Sequence, residues 1–458
     1  MILSRKRTWV ALLASTTLLF TTAFAPVDID FSKDKKPFKK IKAERIYKDI
    51  AHLANKDDAR VAGTEGEKEA AEFVAKRLRR LGYEVEMQQF PFTSFADHGS
   101  SIALTSPESK NLESKAFTYS PATPEGGLSG SIVYAELGSA EDFSRIDVEG
   151  KIALIKRGSY SFYDKVQNAA NAGAIGAIIF NHSEGLISGT LGSQTDIPAL
   201  ALSDVDGNDL LGLLESGEVQ LTLNANTETI ETYSQNVIAN KKARKKAKDP
   251  QTLIVGAHYD GVDTPAANDN ASGTATLLEV ARVLAKKKLD HNLRFVAFGA
   301  EEAGLIGAYE YVDALDDAEK ENISGMLNMD MVGVGDTLNL MTGEEDAVSW
   351  IADDAAELAE KDGITFERGS STRSDHYAFE QAGIPVVFFH YSEDPYYHTD
   401  EDTIDKIQKE DLKTAGTLAA KLIYKSAKEG KKDKKKGKKV HSKLYKGLEQ
   451  REKHTVTK

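Results

Sequence analysis

Apolar residues recur at helical spacing over residues 41–54 and 67–81, and the second run stops at Leu81-Gly82-Tyr83, where glycine suits the position just past a helix end. Tyr83-Glu-Val-Glu-Met then alternates as a half-buried strand does. Residues 129–223 change texture. Short apolar runs at 132–135, 151–155, 174–180 and 197–202 are separated by glycine-rich turns, with no cluster of metal-type ligands. A block of roughly a hundred residues of this kind reads as a self-contained insert. From residue 234 the pattern becomes strand (252–257), helix (274–288), strand (292–299), helix (305–315) and strand (324–331), which predicts an α/β layer on a mostly parallel sheet. The basic stretch 241–248, closed by Asp249-Pro250, reads as a solvated hairpin or loop.

At 458 residues, 41% hydrophobic and 28% charged, the chain is long enough for two globular units and too apolar for disorder. Its 58 basic and 71 acidic residues give a net charge of −13, unevenly spread. The last 28 residues carry +9 and the first 25 carry +3, which leaves −25 for residues 26–430. A body that acidic excludes nucleic acid as the main partner, because phosphate neutralisation needs a basic face. The absence of cysteine excludes thiolate nucleophiles, disulfides and Cys-based metal sites, so any metal must rest on His, Asp and Glu. Arg5, Lys6 and Arg7, an apolar run over 9–20 and Ala23-Phe24-Ala25 predict a secretory signal peptide at 1–25 and hence export, with Pro26 awkward for cleavage. Residues 26–40 read as a flexible leader. Residues 426–458 read as a disordered basic tail suited to anionic wall polymers.

Four apolar runs end in metal-type ligands: 252–257 leads into His258-Tyr259-Asp260, 293–300 into Glu301-Glu302, 326–329 into Asp330, and 386–390 precedes Tyr397-His398-Thr399. A fifth candidate, Asp269, stands just before the helix carrying Leu277, Ala281 and Leu284. In an open α/β sheet, ligands collect beyond the C-terminal strand ends. Taken singly, each has an ordinary explanation: a helix N-cap for Asp269, a core histidine for His258, a solvated corner for the glutamates, a turn residue for Asp330. Two histidines and three carboxylates on one sheet edge, with a spare glutamate beside a ligand, make coincidence a poor account. The set suits zinc, with manganese or cobalt as substitutes, and it is too large for one catalytic ion but right for two if a carboxylate bridges. Asp260 fits a partner for the His258 imidazole better than it fits a ligand, and of the adjacent glutamates one can bind metal while the other takes a proton. His182, His376, His390 and His441 read as structural or solvated.

His258-Tyr-Asp, Asn268-Asp-Asn-Ala-Ser-Gly, Phe298-Gly-Ala-Glu-Glu-Ala-Gly-Leu-Ile-Gly307, Asn328-Met-Asp-Met-Val-Gly, Arg373-Ser-Asp-His376 and Tyr397-His-Thr resemble, in order and spacing, the secreted co-catalytic zinc aminopeptidases of the bacterial leucyl aminopeptidase and aminopeptidase Y type. Arg60-Val-Ala-Gly-Thr-Glu-Gly66 extends the resemblance, and Lys151-Ile-Ala-Leu-Ile-Lys-Arg-Gly158 with 165–180 looks like a protease-associated (PA) domain. The resemblance implies a mostly parallel mixed sheet sandwiched by helices, formed by 41–125 and 230–425, with a small β-rich α+β PA insert at 126–229. It also implies two zinc ions, His258 and Asp330 on one, Glu302 and His398 on the other, and Asp269 bridging. Glu301 becomes the general base, Tyr397 an oxyanion stabiliser, Arg373 a substrate-positioning residue and Asp402 a brace for the His398 loop. The implied substrates are peptides with free N-termini, Leu, Arg and Lys first, cut by a monomer. A di-zinc carboxypeptidase or deacylase, and a non-catalytic receptor-like protein on the same fold, are the alternatives.

Overall fold

The computed structural model describes residues 40–54, 59–187 and 189–428. The expected signal peptide, the leader up to residue 39, His441 and the tail from residue 429 lie outside the described residues. No helix among the described residues is long and apolar enough to cross a membrane.

Helices α1 (Ala43–Leu53) and α2 (Glu65–Arg80) open the described chain and bury Ile46, Ile50, Ala71, Val74 and Leu78 in one apolar core. Thr64 caps α2 by accepting the Glu67 N–H, and Gly82 at φ +87° ends it, turning the chain into strand β1 (Glu84–Asp97).

The chain then leaves for the insert: β2 (Ser101–Ser106), β3 (Lys110–Leu112), β4 (Ser114–Ala116), β5 (Leu128–Tyr134), α3 (Ala140–Phe143), β6 (Ile152–Lys156), α4 (Phe162–Asn171), β7 (Gly176–Phe180), β8 (Ala199–Leu202), α5 (Asp204–Ser216) and β9 (Gln220–Asn224). Its sheet runs β3-β2-β9-β5-β6-β7-β8-β4, parallel from β5 to β8. Alternation along β6 buries both faces: Ile152 and Leu154 join one core, Ala153 and Ile155 the other, which Val166 and Ala169 of α4 complete.

Here the structure corrects the expected boundary at 126. Of the strands assigned to the catalytic unit from sequence, β2 pairs with β9, β3 with β2 and β4 with β8, so all three belong to the sheet of the insert, which therefore begins after Asp97. Their contribution to its core is only Ile102, Leu104 and Leu112, too sparse a pattern to announce a domain change. The second correction is smaller. The last helix continues to Lys428, three residues into the expected tail, because Ala427 is still buried against the core.

The chain returns through β10 (Thr227–Lys241), antiparallel to all of β1 from Asp97 opposite Thr227 to Glu84 opposite Asn240. The insert thus hangs from the far end of a two-stranded ribbon. There follow β11 (Thr252–His258), α6 (Gly273–Leu284), β12 (Asn292–Phe298), α7 (Ile306–Asp313), α8 (Asp317–Asn322), β13 (Ile323–Met329), β14 (Leu338–Thr342), α9 (Trp350–Asp362), β15 (Phe366–Ser370), α10 (His376–Gln381), β16 (Val386–Tyr391) and α11 (Lys409–Lys428). The main sheet runs β1-β10-β12-β11-β13-β16-β14-β15, and its centre, β12-β11-β13-β16, is parallel. The basic stretch after β10 is a loop that crosses to β11 over the intervening β12, not a hairpin.

β11 is buried throughout. Leu253, Val255 and Ala257 face the core shared with α1, α2, α6, α9 and α11, while Ile254 faces a second core with Tyr311 and Val312 of α7 and Phe379 of α10. Each of the fully buried Leu, Val and Ile side chains contributes about 2 kcal/mol, so the central strands are held from both faces and their C-terminal ends form a fixed edge.

Candidate metal centre

The parallel centre of the sheet brings the ends of β11, β12, β13 and β16 to one edge, and the candidate residues stand on those ends. His258 closes β11, Glu301 and Glu302 follow β12, Asp330 follows β13, and His398 lies in the loop after β16. Asp269 arrives on the turn between β11 and α6. That turn lies close against β13 because residue 273 is glycine: a Cβ there would stand 2.2 Å from the Met329 carbonyl oxygen.

All five expected ligands converge. His258 Nε2 is 3.3 Å from Asp269 Oδ1 and 3.3 Å from Asp330 Oδ1. His398 Nε2 is 3.1 Å from Asp269 Oδ2 and 3.1 Å from Glu302 Oε2. The two oxygens of Asp269 therefore face two different histidines. Glu301 Oε2 is 4.0 Å from His258 Nε2, and Asp260 Oδ1 is 3.5 Å from His258 Nδ1. His258, Asp260, Asp269, Glu301 and Asp330 are buried, Glu302 is half-buried and His398 is exposed.

The donor set fits divalent metal. His258 Nε2, Asp330 Oδ1 and Glu302 Oε1 are buried with no hydrogen-bond partner, and three groups have their donor atoms mutually within 4.8 Å: His258 with Asp269 and Asp330, Asp269 with Glu302 and His398, and His258 with both glutamates. Buried polar atoms without partners are costly, and a dication is the partner this chemistry takes. Charge argues likewise. Burial and neighbouring carboxylates push Glu301 well above its ordinary value and Glu302 up to about 7. Burial opposes the charged His258 imidazole, yet Glu301, Asp330 and its partners Asp260 and Asp269 raise it well above 6.5. Against burial, His398 is carried up to about 10 by Asp269 and Glu302. Crowded anions that must either take up protons or acquire positive neighbours are what metal ions would neutralise.

The ligands are held from behind. Asp402 accepts the backbone N–H of Asn268 at 2.7 Å and of Asp269 at 3.0 Å. Asp260 Oδ2 accepts the Glu302 N–H at 3.1 Å, so one carboxylate addresses His258 and Glu302 together. Ser374 Oγ donates to Asp330 Oδ2 at 2.8 Å and accepts from Asn328 Nδ2 at 2.7 Å.

Above the ligands opens a cavity of about 330 Å³. Glu301, Glu302, Asp269 and Asp330 lie in its wall, with Met331, Met341 and Phe388 as an apolar patch. Arg373 and Tyr397 line it too: Arg373 Nη2 donates to Tyr397 Oη at 3.2 Å, and the Tyr397 ring stacks on His398 with centroids 3.8 Å apart.

Sequence reasoning overlooked three contributors. Asp375 is fully buried with neither oxygen hydrogen-bonded, and burial drives its carboxyl well above the usual range. It and Ser374 stand inside Arg373-Ser-Asp-His376, so the signal was present. His390, read as structural or solvated, lines the cavity with Nδ1 3.3 Å from the Asp330 carbonyl oxygen. His376 does prove structural, with Nε2 2.7 Å from the Ser371 carbonyl oxygen and its ring stacked on Phe388. His182 is exposed.

Two histidines and four carboxylates gathered beyond parallel strand ends, under an open cavity, are the arrangement of a metal-dependent hydrolase of the α/β class. Comparison with known proteins narrows this. Residues 236–423 match Peptidase family M28, and residues 127–210 match the PA domain. The chain is 36% identical over 447 residues to aminopeptidase YwaD of Bacillus subtilis, covering 93% of this chain and 94% of that one. Among solved structures it is similar to an aminopeptidase from Aneurinibacillus sp. strain AM-1, with 37% identity, a TM-score of 0.80 and coverage of 86% of this chain and 96% of that one. It is also similar to the Bacillus subtilis zinc aminopeptidase BSAP, with 34% identity, a TM-score of 0.68 and coverage of 85% and 96%. The chain belongs to peptidase family M28, and it is an aminopeptidase with a PA domain built into it.

Proposed function

We propose that the chain is an exported aminopeptidase that holds two zinc ions, His258 and Asp330 on one, Glu302 and His398 on the other, with Asp269 between them. The observation that carries this reading is the Asp269 carboxylate, whose two oxygens lie 3.3 Å from His258 Nε2 and 3.1 Å from His398 Nε2. Similarity to a zinc aminopeptidase supports the choice of metal. Bound there, zinc would supply positive charge that polarises the scissile carbonyl and lowers the pKa of water towards about 7.

The chain's own residues do the rest. Glu301, in the cavity wall beside Glu302, takes the proton of the attacking water on its carboxylate and returns it to the departing amine. Asp260 orients the His258 imidazole through Nδ1. Tyr397 accepts from Arg373 Nη2, which leaves its own O–H free to donate to the oxygen of the cleaved carbonyl, while Arg373 steers the substrate. The carboxylate wall suits a free α-ammonium group, so cleavage stops after one residue. Met331, Met341 and Phe388 suit a leucyl side chain, and Glu393 and Asp394 on the same cavity suit the cationic end of arginyl or lysyl residues.

The competing reading, a carboxypeptidase or deacylase with almost the same ligands, calls for a lid domain between the later ligands. Here the chain between Asp330 and His398 forms β14, β15 and β16 of the main sheet. Export rests on the basic and apolar N-terminal sequence, and wall contact on the lysine-rich tail. The test is hydrolysis of leucyl, arginyl and N-acetyl-leucyl anilides by the purified protein. The reading expects turnover of the two free amines and none of the acetylated substrate; turnover of the acetylated substrate alone would move the protein to the deacylases.

A further inference from the structure

Two ionisable residues of the N-terminal segment, Arg60 and Glu67, are each only 1% exposed, and neither belongs to the metal-type cluster. Burial pushes the Glu67 carboxyl up to about 8, while the Arg60 guanidinium stays charged, and a polar group is kept in such a place only where its partners offset the loss of water, so those partners say what each residue is for.

Among the described residues, every hydrogen bond from the Arg60 guanidinium ends on a backbone carbonyl. Nε donates to Tyr259 at 2.7 Å, Nη1 to Leu53 at 2.6 Å and Pro265 at 3.3 Å, and Nη2 to Ala266 at 2.8 Å. The Arg60 carbonyl in turn accepts the Gly261 N–H at 3.1 Å. Tyr259 stands between His258 and Asp260, and Ala266 stands three residues before Asp269. One planar fork therefore joins both ends of the loop that carries His258 and Asp269.

Glu67 does the same on the neighbouring strand end. Its Oε1 accepts from Ser234 Oγ at 2.5 Å and from the Ala300 N–H at 3.3 Å, and its Oε2 accepts the Gly63 N–H at 2.7 Å. Ala300, at φ +51°, is the residue immediately before Glu301. The turn has no room to slide: a Cβ on Gly299 would stand 2.3 Å from Ser234 Oγ and 2.7 Å from Glu67 Oε1.

We propose that Arg60 and Glu67 are positioning residues, the first fixing the spacing of His258 and Asp269 for metal retention, the second fixing the turn that presents Glu301 to the attacking water. Both act through the backbone, and the seven-residue reach from 60 to 67 ties the two turns to one helix start. The matched stretch of the peptidase family, 236–423, does not include them. The proposal rests on the aminopeptidase reading above, since it assigns the two turns to metal and base.

The test uses the full chain with Arg60→Lys, Glu67→Gln and, as a control, Ser161→Ala. Ser161 caps α4 of the insert by accepting the Asp164 N–H and touches neither turn nor Glu67, so its loss lowers stability and leaves kcat unchanged. Arg60→Lys keeps the charge and loses the fork; it is expected to surrender zinc to a competing chelator roughly tenfold more readily. Glu67→Gln keeps the shape and turns one acceptor into a donor; it is expected to retain zinc and KM while kcat per zinc-loaded protein falls roughly tenfold. If both variants lose only melting temperature, with chelator sensitivity and kcat as in the wild type, the residues are merely structural and the proposal is wrong. If the wild type binds zinc but cleaves no leucyl anilide, the functional reading fails, and Glu67's assignment with it, while chelator sensitivity still decides for or against Arg60.

Discussion

Asp402 accepts two successive backbone N–H groups, those of Asn268 and Asp269, one on each carboxylate oxygen, and so grips the peptide that aims the Asp269 side chain between the two histidines. Its sequence position, four residues after His398, links the two loops: a residue from the His398 loop holds the residue that faces both His258 and His398.

Replacing Asp402 with alanine should therefore loosen the centre as well as the fold. Two buried N–H groups would lose their acceptor, a cost of about 2 kcal/mol or more, and zinc affinity should fall by roughly 10–100-fold. Chemical denaturation of the metal-free protein and zinc competition measure the two effects separately. Unchanged zinc affinity with lowered stability would show that the clamp serves folding alone.

Asp260→Asn should leave the Glu302 N–H with an acceptor but weaken the hold on His258 Nδ1. The expectation is a kcat lower by roughly 10–100-fold with little change in melting temperature. Steady-state kinetics on leucyl anilide, beside a thermal melt, checks it.

Cavity chemistry predicts a split in specificity. Glu393 and Asp394 line the same cavity as Met331, Met341 and Phe388, and an exposed ion pair is worth about 0–1 kcal/mol. Glu393→Gln should accordingly lower kcat/KM for arginyl anilide by up to about fivefold and leave leucyl anilide unchanged; an equal loss on both substrates would remove Glu393 from specificity.

His376 predicts a pH dependence of stability that is separate from the metal. Burial pushes its imidazole down to about 4, against 6.5 in the unfolded chain. The unfolded state then binds the extra proton first, so stability is full above about 6.5 and is lost as pH falls towards about 4, by about 3 kcal/mol in total. The difference in unfolding free energy between wild type and His376→Phe should shift against the wild type by that order across the window. Zinc release on acidification is common to both proteins and cancels in the comparison.

The site was legible in the sequence to an unusual degree because of what a parallel sheet does. Short continuous apolar runs such as 252–257, alternating with helical segments, read as buried parallel strands, and the first polar residues after them, His258, Glu301 and Asp330, then emerge at one edge. The inserted domain was legible in its middle, where β6 and β7 are apolar on both faces, and illegible at its start, where β2 to β4 contribute few core residues. Of the residues that act from behind, Asp260 was legible from its place beside His258 and Asp402 through the resemblance, while others were not. Arg60 and Glu67 look like surface charges in a linear chain, and Asp375 looks like a helix-start residue. Only tertiary contacts reveal that all three are buried at the centre.

The most direct test of the central claim is zinc content per chain, by elemental analysis, for wild type and Glu301→Gln, read beside leucyl anilide turnover. The two-ion account predicts about two zincs in both proteins and turnover lost in the variant, since Glu301 moves a proton and is not needed to hold metal. One zinc or none in active wild type, or a fully loaded Glu301→Gln that still turns over, would contradict it.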